Sequence, residues 1–259
     1  MTHHTVTTLL TVALLVVAGC SAPSVPTPSP EPATPSPTAS PTAAPTATPT
    51  PTPTPAGGVA VYGDLRVNAT LVWERVESLL GGSYSPPTVS VRNRSREPRA
   101  DSFAAHLGLD EGTETFDDGR VRASYSQRTA RVRISPRNGS VAQVTRLLAH
   151  EYVHAVQFRV PEGNRPTFLD RVSERESFLL QRALIEGSAV YVEDAYTREY
   201  LGFSAIEQRC AEYRNGSAYE RYAGQAYCFG GQYFAAQSDS PSGLFSANTT
   251  LPNTSEQLL

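Results

Sequence analysis

From residue 59 onward the apolar positions of the chain fall into helical and alternating patterns. Leu65, Leu71, Val72, Trp73, Val76, Leu79 and Leu80 recur at helical spacing, so a helix is expected over 65–80, stopped by Gly81-Gly82. Thr88–Val91, after Pro86-Pro87, reads as a short strand, and Phe103–Leu109 as a helical turn. Val121, Ala123 and Tyr125, then Ala130, Val132 and Ile134, alternate as one or two strands joined near Ser126-Gln127. Ser140 and Gln143 form a capping box. Behind it Val141, Val144, Leu147, Leu148, Tyr152, Ala155, Val156 and Phe158 keep the helical period until Pro161 and Gly163. A second long helix is expected from Ser173, with Glu176 as box partner, through Phe178, Leu180, Leu184, Ala189, Val192 and Tyr196 to Gly202. Helices over about 204–214 and 217–236 follow, then a Ser-, Asn- and Pro-rich end over 238–259. Strands first and helices after, in one unit of this length, define an α+β class.

The front of the chain has a different composition. The apolar run over 5–19 is too short to span a bilayer, which takes about 20 apolar residues. It ends in Val17-Ala18-Gly19-Cys20, which resembles a lipobox with Cys20 as the lipidated residue. Its first residues hold His3 and His4 but no Lys or Arg. Residues 21–58 are nearly all Pro, Thr, Ser and Ala, a composition that cannot bury a core and suits an extended stalk. The expected organisation is therefore a signal peptide over 1–20, a stalk over 21–58 and one domain over 59–259. Within that domain, 59–138 is a helix with strands, 139–237 is helical, and 238–259 is an irregular tail.

Asparagine usage supports export. Six of the seven Asn begin Asn-X-Ser/Thr: Asn68, Asn93, Asn138, Asn215, Asn248 and Asn253. These are possible N-glycosylation acceptors and equally turn-forming residues. With Cys20 assigned to lipid, Cys210 and Cys228 remain, an even pair suited to a disulfide in an oxidising compartment; two buried thiols are the alternative. All 22 basic residues are Arg and the net charge is −3, with no basic face, so nucleic acid is not an expected partner. A monomer is expected, held to the outer face of the cytoplasmic membrane by the lipid.

His150-Glu151-Tyr152-Val153-His154 carries the chemistry. Residues four apart share a helix face, so His150 and His154 can present both imidazoles to one zinc ion. Glu151 lies beside them as a general base for a metal-activated water. Only five His occur, and two of them form this motif. His106 stands alone and reads as a helix or core residue.

A catalytic zinc needs a third protein ligand. Glu186 is the best candidate, a carboxylate on the apolar stretch Ala183-Leu184-Ile185-Glu186-Gly187-Ser188-Ala189. A buried Glu is costly unless it is paired or ligates metal. The alternatives are a solvent-facing Glu or a salt bridge to Arg182. Gly187 and Ser188 would let another helix pack closely. Glu193 and Asp194 suit contacts that orient a ligating His, whereas Glu174 and Glu176 read as capping and surface charges. An oxyanion donor is also needed, for which Tyr191, Tyr196 and a nearby Arg are candidates.

Leu148-Ala-His-Glu-Tyr-Val-His-Ala-Val-Gln157, followed by Arg182-Ala-Leu-Ile-Glu-Gly-Ser-Ala189, resembles a gluzincin. It is most similar to zincin-like surface lipoproteins of halophilic archaea. Those pair His-Glu-x-x-His-Ala-x-Gln with a downstream Glu-Gly segment, and carry Pro-x-Ser/Thr-Thr/Ser-Glu-Gln near the end, usually followed by a His. Pro252-Asn-Thr-Ser-Glu-Gln257 matches the last segment, two residues before the sequence stops. The resemblance covers about 140–259. It implies a zincin-like fold, His150, His154 and Glu186 as zinc ligands, Glu151 as base, and a truncated gene product lacking a residue that helps the site.

The expected function is a cell-surface zinc metallopeptidase acting on a peptide or protein substrate. The alternative is a non-catalytic zinc-binding or envelope-structural lipoprotein of the same fold.

Overall fold

The computed structural model describes residues 58–92, 121–158, 168–246 and 249–258. The leader, the stalk, Cys20, His106, the turn expected over 103–109, Asn93 and Asn248 lie outside the described residues.

Helix α1 (Ala69–Leu80) starts four residues later than its apolar pattern suggests. Asn68 is its N-cap, accepting from the Leu71 N–H at 3.0 Å, so Leu65 and Val67 pack against the core from the approach to the helix. Gly81 ends it in the left-handed conformation, φ +67°.

Four strands form one sheet: β1 (Val61–Tyr62), β2 (Thr88–Val91), β3 (Arg122–Ser126) and β4 (Arg131–Ser135), in the order β1-β2-β4-β3. The first three in that order run parallel, and β3 is antiparallel to β4. The alternating stretch over 121–134 is thus two strands, joined by a 3₁₀ turn over Gln127–Thr129. Val89, Val132 and Ile134 turn into the core.

Helix α2 (Val141–Gln157) begins with the expected capping box, both Ser140 and Gln143 bonds being present. Every residue from Leu148 to Gln157 is buried. One face packs on α1: the Tyr152 ring meets Trp73 edge-on at 5.3 Å, and its hydroxyl donates to the Ala69 carbonyl at 3.2 Å. The opposite face carries the histidines.

A short helix α3 (Phe168–Ser173) precedes α4 (Phe178–Tyr200). The start expected at Ser173 is therefore corrected. Ser177 caps α4 by accepting from Leu180 N–H at 3.1 Å, while the Ser173 hydroxyl donates back to the Asp170 carbonyl at 2.7 Å and belongs to the end of α3. Helices α5 (Ala205–Asn215) and α6 (Ala218–Gln237) lie within a residue or so of expectation, the latter with a Ser217–Glu220 capping box.

Helix α6 crosses α4 at a glycine pair. A Cβ on Gly187 would collide with the Gly230 backbone, and one on Gly230 with the Ala183 carbonyl. A disulfide between Cys210 and Cys228 ties α5 to α6. The tail docks on α3: Arg171 donates to the Thr249 and Ser246 carbonyls, and Leu244 and Leu251 are buried. Six helices and a four-stranded sheet among the described residues make this an α+β protein. Asn68, Asn138, Asn215 and Asn253 are all exposed.

Candidate metal centre

The capped α2 brings His150 and His154 one turn apart, and α4 lays Glu186 across them. The two Nε2 atoms are 3.1 Å apart, and Glu186 Oε2 lies 3.3 Å from one and 3.4 Å from the other. Four-coordinate zinc with bonds of about 2.0–2.1 Å separates its ligand atoms by about 3.3 Å. The triangle therefore has the dimensions of one face of a tetrahedral site.

The far side of each imidazole fixes its tautomer. His150 Nδ1–H donates to Glu193 Oε2 at 2.8 Å. His154 Nδ1–H donates to Gln157 Oε1 at 2.6 Å. The orientation of the Gln157 amide is itself set: its Nε2 donates to the Ile185 carbonyl at 2.8 Å and to Ser188 Oγ at 2.7 Å, and that hydroxyl donates to the Leu184 carbonyl. With both Nδ1 atoms donating, both Nε2 lone pairs and a carboxylate oxygen converge on one point. Such an arrangement is stable only with a cation between them, a proton or a metal ion. The donor set fits a divalent metal held by two neutral imidazoles and a carboxylate.

Charge is managed behind the ligands. Glu193 is fully buried, and its Oε1 lies 3.2 Å from Arg146 Nε and 3.5 Å from Arg209 Nη2. Burial alone would raise its pKa, but Arg209, His150 and Arg146 outweigh it and hold it down at about 2. Burial would likewise lower the His150 pKa, yet Glu186 and Glu193 raise it to about 9. Glu186 is held well below the usual carboxylate range: the two imidazoles overcome its desolvation.

Glu151 lines the same cavity, about 290 Å³ in volume, as His150, His154 and Glu186. Its carboxylate accepts from the Tyr125 backbone N–H of β3, and burial raises its pKa, partly offset by the two histidines. Ala123, Ser124 and Tyr125 form one wall of this cavity.

The remaining candidates separate. Glu186 faces the imidazoles, and Arg182 donates instead to the Ala223 carbonyl at 3.3 Å. Glu193 orients His150, but Asp194 has another task. It accepts from Ser204 Oγ at 2.6 Å, Ile206 N–H at 3.0 Å and Arg198 Nε at 2.6 Å, fixing the start of α5. Glu174 and Glu176 do not line the cavity. Neither do Tyr191, whose hydroxyl donates to the Ser238 carbonyl, or Tyr196, whose buried hydroxyl accepts from Arg75.

Besides Tyr125, the cavity is lined by Tyr227 of α6, which no local pattern in the sequence singles out. Its ring stacks on His150 at 6.0 Å, and the Arg209 guanidinium covers it at 5.0 Å. Burial, with Glu186 next, raises its pKa and keeps the hydroxyl protonated. Arg146 and Arg209 were also not foreseen; buried Glu193 calls for nearby cations, but nothing local in the sequence says which.

Compared with protein-family models, curated proteins and solved structures, the chain matches none.

Proposed function

We propose that this chain is a zinc-dependent peptide hydrolase of gluzincin type, exported and lipid-anchored through Cys20. The observation that carries the reading is the convergence of His150, His154 and Glu186 on one point in a cavity that also holds the Glu151 carboxylate. A zinc ion held by His150, His154 and Glu186 would supply a Lewis acid and an activated water. Glu151 is the residue placed to accept a proton as general base and to return it to a leaving amine; burial holds its pKa above the usual carboxylate value. Tyr227, kept protonated, donates to the carbonyl oxygen as it gains charge. Glu193 and Gln157 hold the imidazoles in the ligating tautomer. A β-strand along one wall suits an extended peptide.

The test is digestion of casein or a peptide library by the full chain. Cleavage should stop with a chelator and return with one equivalent of zinc. Cleavage indifferent to the chelator would remove the proposal. Stoichiometric zinc without cleavage would instead favour a non-catalytic zinc-binding envelope protein.

A further inference from the structure

A second cavity, about 710 Å³, adjoins the metal cavity and shares Tyr227 with it. Three arginines line it: Arg146, Arg182 and Arg209. Two have carboxylate partners. Arg146 reaches Glu193 and donates to Gln208 Oε1 at 2.6 Å. Arg209 covers Tyr227 and pairs with Glu193 and, at 3.7 Å, with Glu212. The other acidic group on the lining, Glu220, accepts from the Ser217 backbone N–H at 2.7 Å in its capping box. Arg182 differs. It is half-buried, its hydrogen bond goes to the Ala223 carbonyl, and no carboxylate among the described residues pairs with it. A cation in a partly desolvated wall gains most from an anionic partner.

Its position relative to the metal ligands sets a distance. Arg182 precedes Glu186 by four residues on α4, so the two share a helix face about 6 Å apart along the axis. An extended peptide advances about 3.3 Å per residue. The backbone step from Arg182 to Glu186 thus matches about two residues of an extended peptide.

We propose that this cavity is a carboxylate-binding subsite anchored by Arg182, so that the site takes acidic peptides. This rests on the peptide-hydrolase reading above. The carboxylate can be an Asp or Glu side chain within a chain or the terminal carboxylate of a peptide. The geometry accepts both.

The test uses the full chain, zinc-loaded and carrying Glu151→Gln, so that peptides bind without being cut. Three matched hexapeptides are titrated: one with a central Glu and an amidated end, its Gln twin, and that twin with a free terminal carboxylate. At least one acidic peptide should bind about 10-fold or more tightly than the neutral one, and which one does so identifies the source. Adding Arg182→Met should bring that ratio toward one, and Arg182→Lys should keep part of it. Three equal affinities, no binding at all, or a preference that survives Arg182→Met would overturn the subsite. Failure of the hydrolase reading looks different: the wild-type chain would leave these peptides uncut while still binding the acidic one more tightly.

Discussion

Glu193 Oε2 accepts the Nδ1 proton of His150 at 2.8 Å, while its Oε1 faces two arginines. One buried carboxylate thus orients His150 and ties α5 to α2. Glu193→Gln keeps the shape but removes the charge, leaving Arg146 and Arg209 without their shared partner. Outer partners of metal-bound histidines typically contribute about 10–100-fold in metal affinity. A loss of that size is expected for Glu193→Gln, measured by competition with a zinc chelator; unchanged affinity would mean that Glu193 serves only the fold.

The crossing at Gly187 and Gly230 brings Tyr227 to the metal cavity. Each position faces backbone, which cannot rotate aside. Gly187→Ala or Gly230→Ala should therefore cost at least the ~1–3 kcal/mol typical of overpacking. Alanine's better helix propensity offsets at most ~1 kcal/mol of that. Thermal melts of the metal-loaded chain check this, and a melt at or above the wild type would contradict the close approach.

These elements differ in how far the sequence revealed them. Helix α2 was legible because its signals are local: a capping box, a helical apolar period, and two histidines four apart. The start of α4 was not, because Ser173-Glu176 and Ser177 both offer capping side chains within a few residues. Tertiary context decided between them, closing α3 at Ser173. Tyr227 was illegible for a different reason. It sits among other tyrosines on a separate helix, and only the glycine crossing brings it beside His150. Glu186 lay between: its isolation on an apolar stretch marked it, and the fold supplied the partners.

The disulfide joins residues adjacent to Arg209 and Tyr227. Replacing Cys210 and Cys228 by Ser releases a loop of moderate length and should cost about 3 kcal/mol. Denaturant melts of the oxidised wild type and the double variant check this. Equal midpoints would show that the bridge adds nothing to stability.

Proton competition gives a pH signature. In the metal-free chain the His150 pKa is raised from 6.5 to about 9. A raised folded-state pKa contributes stability that is full below the unfolded value and is lost as pH rises through the folded one. The chelator-treated chain should therefore lose thermal stability between pH 6.5 and about 9. Metal-loaded protein holds His150 unprotonated on the metal, so this loss should be absent. Parallel melting curves for the two forms would contradict the assignment.

The role of Glu151 as general base beside a bound zinc is the proposal on which the function turns. Its most direct test is the rate of peptide hydrolysis by full-length Glu151→Gln, with zinc content measured on the same sample. One zinc per chain is expected, as in the wild type, with a rate lower by about 10²–10⁴-fold, the usual range for a general base. A zinc-loaded variant that hydrolyses peptide at the wild-type rate would contradict it.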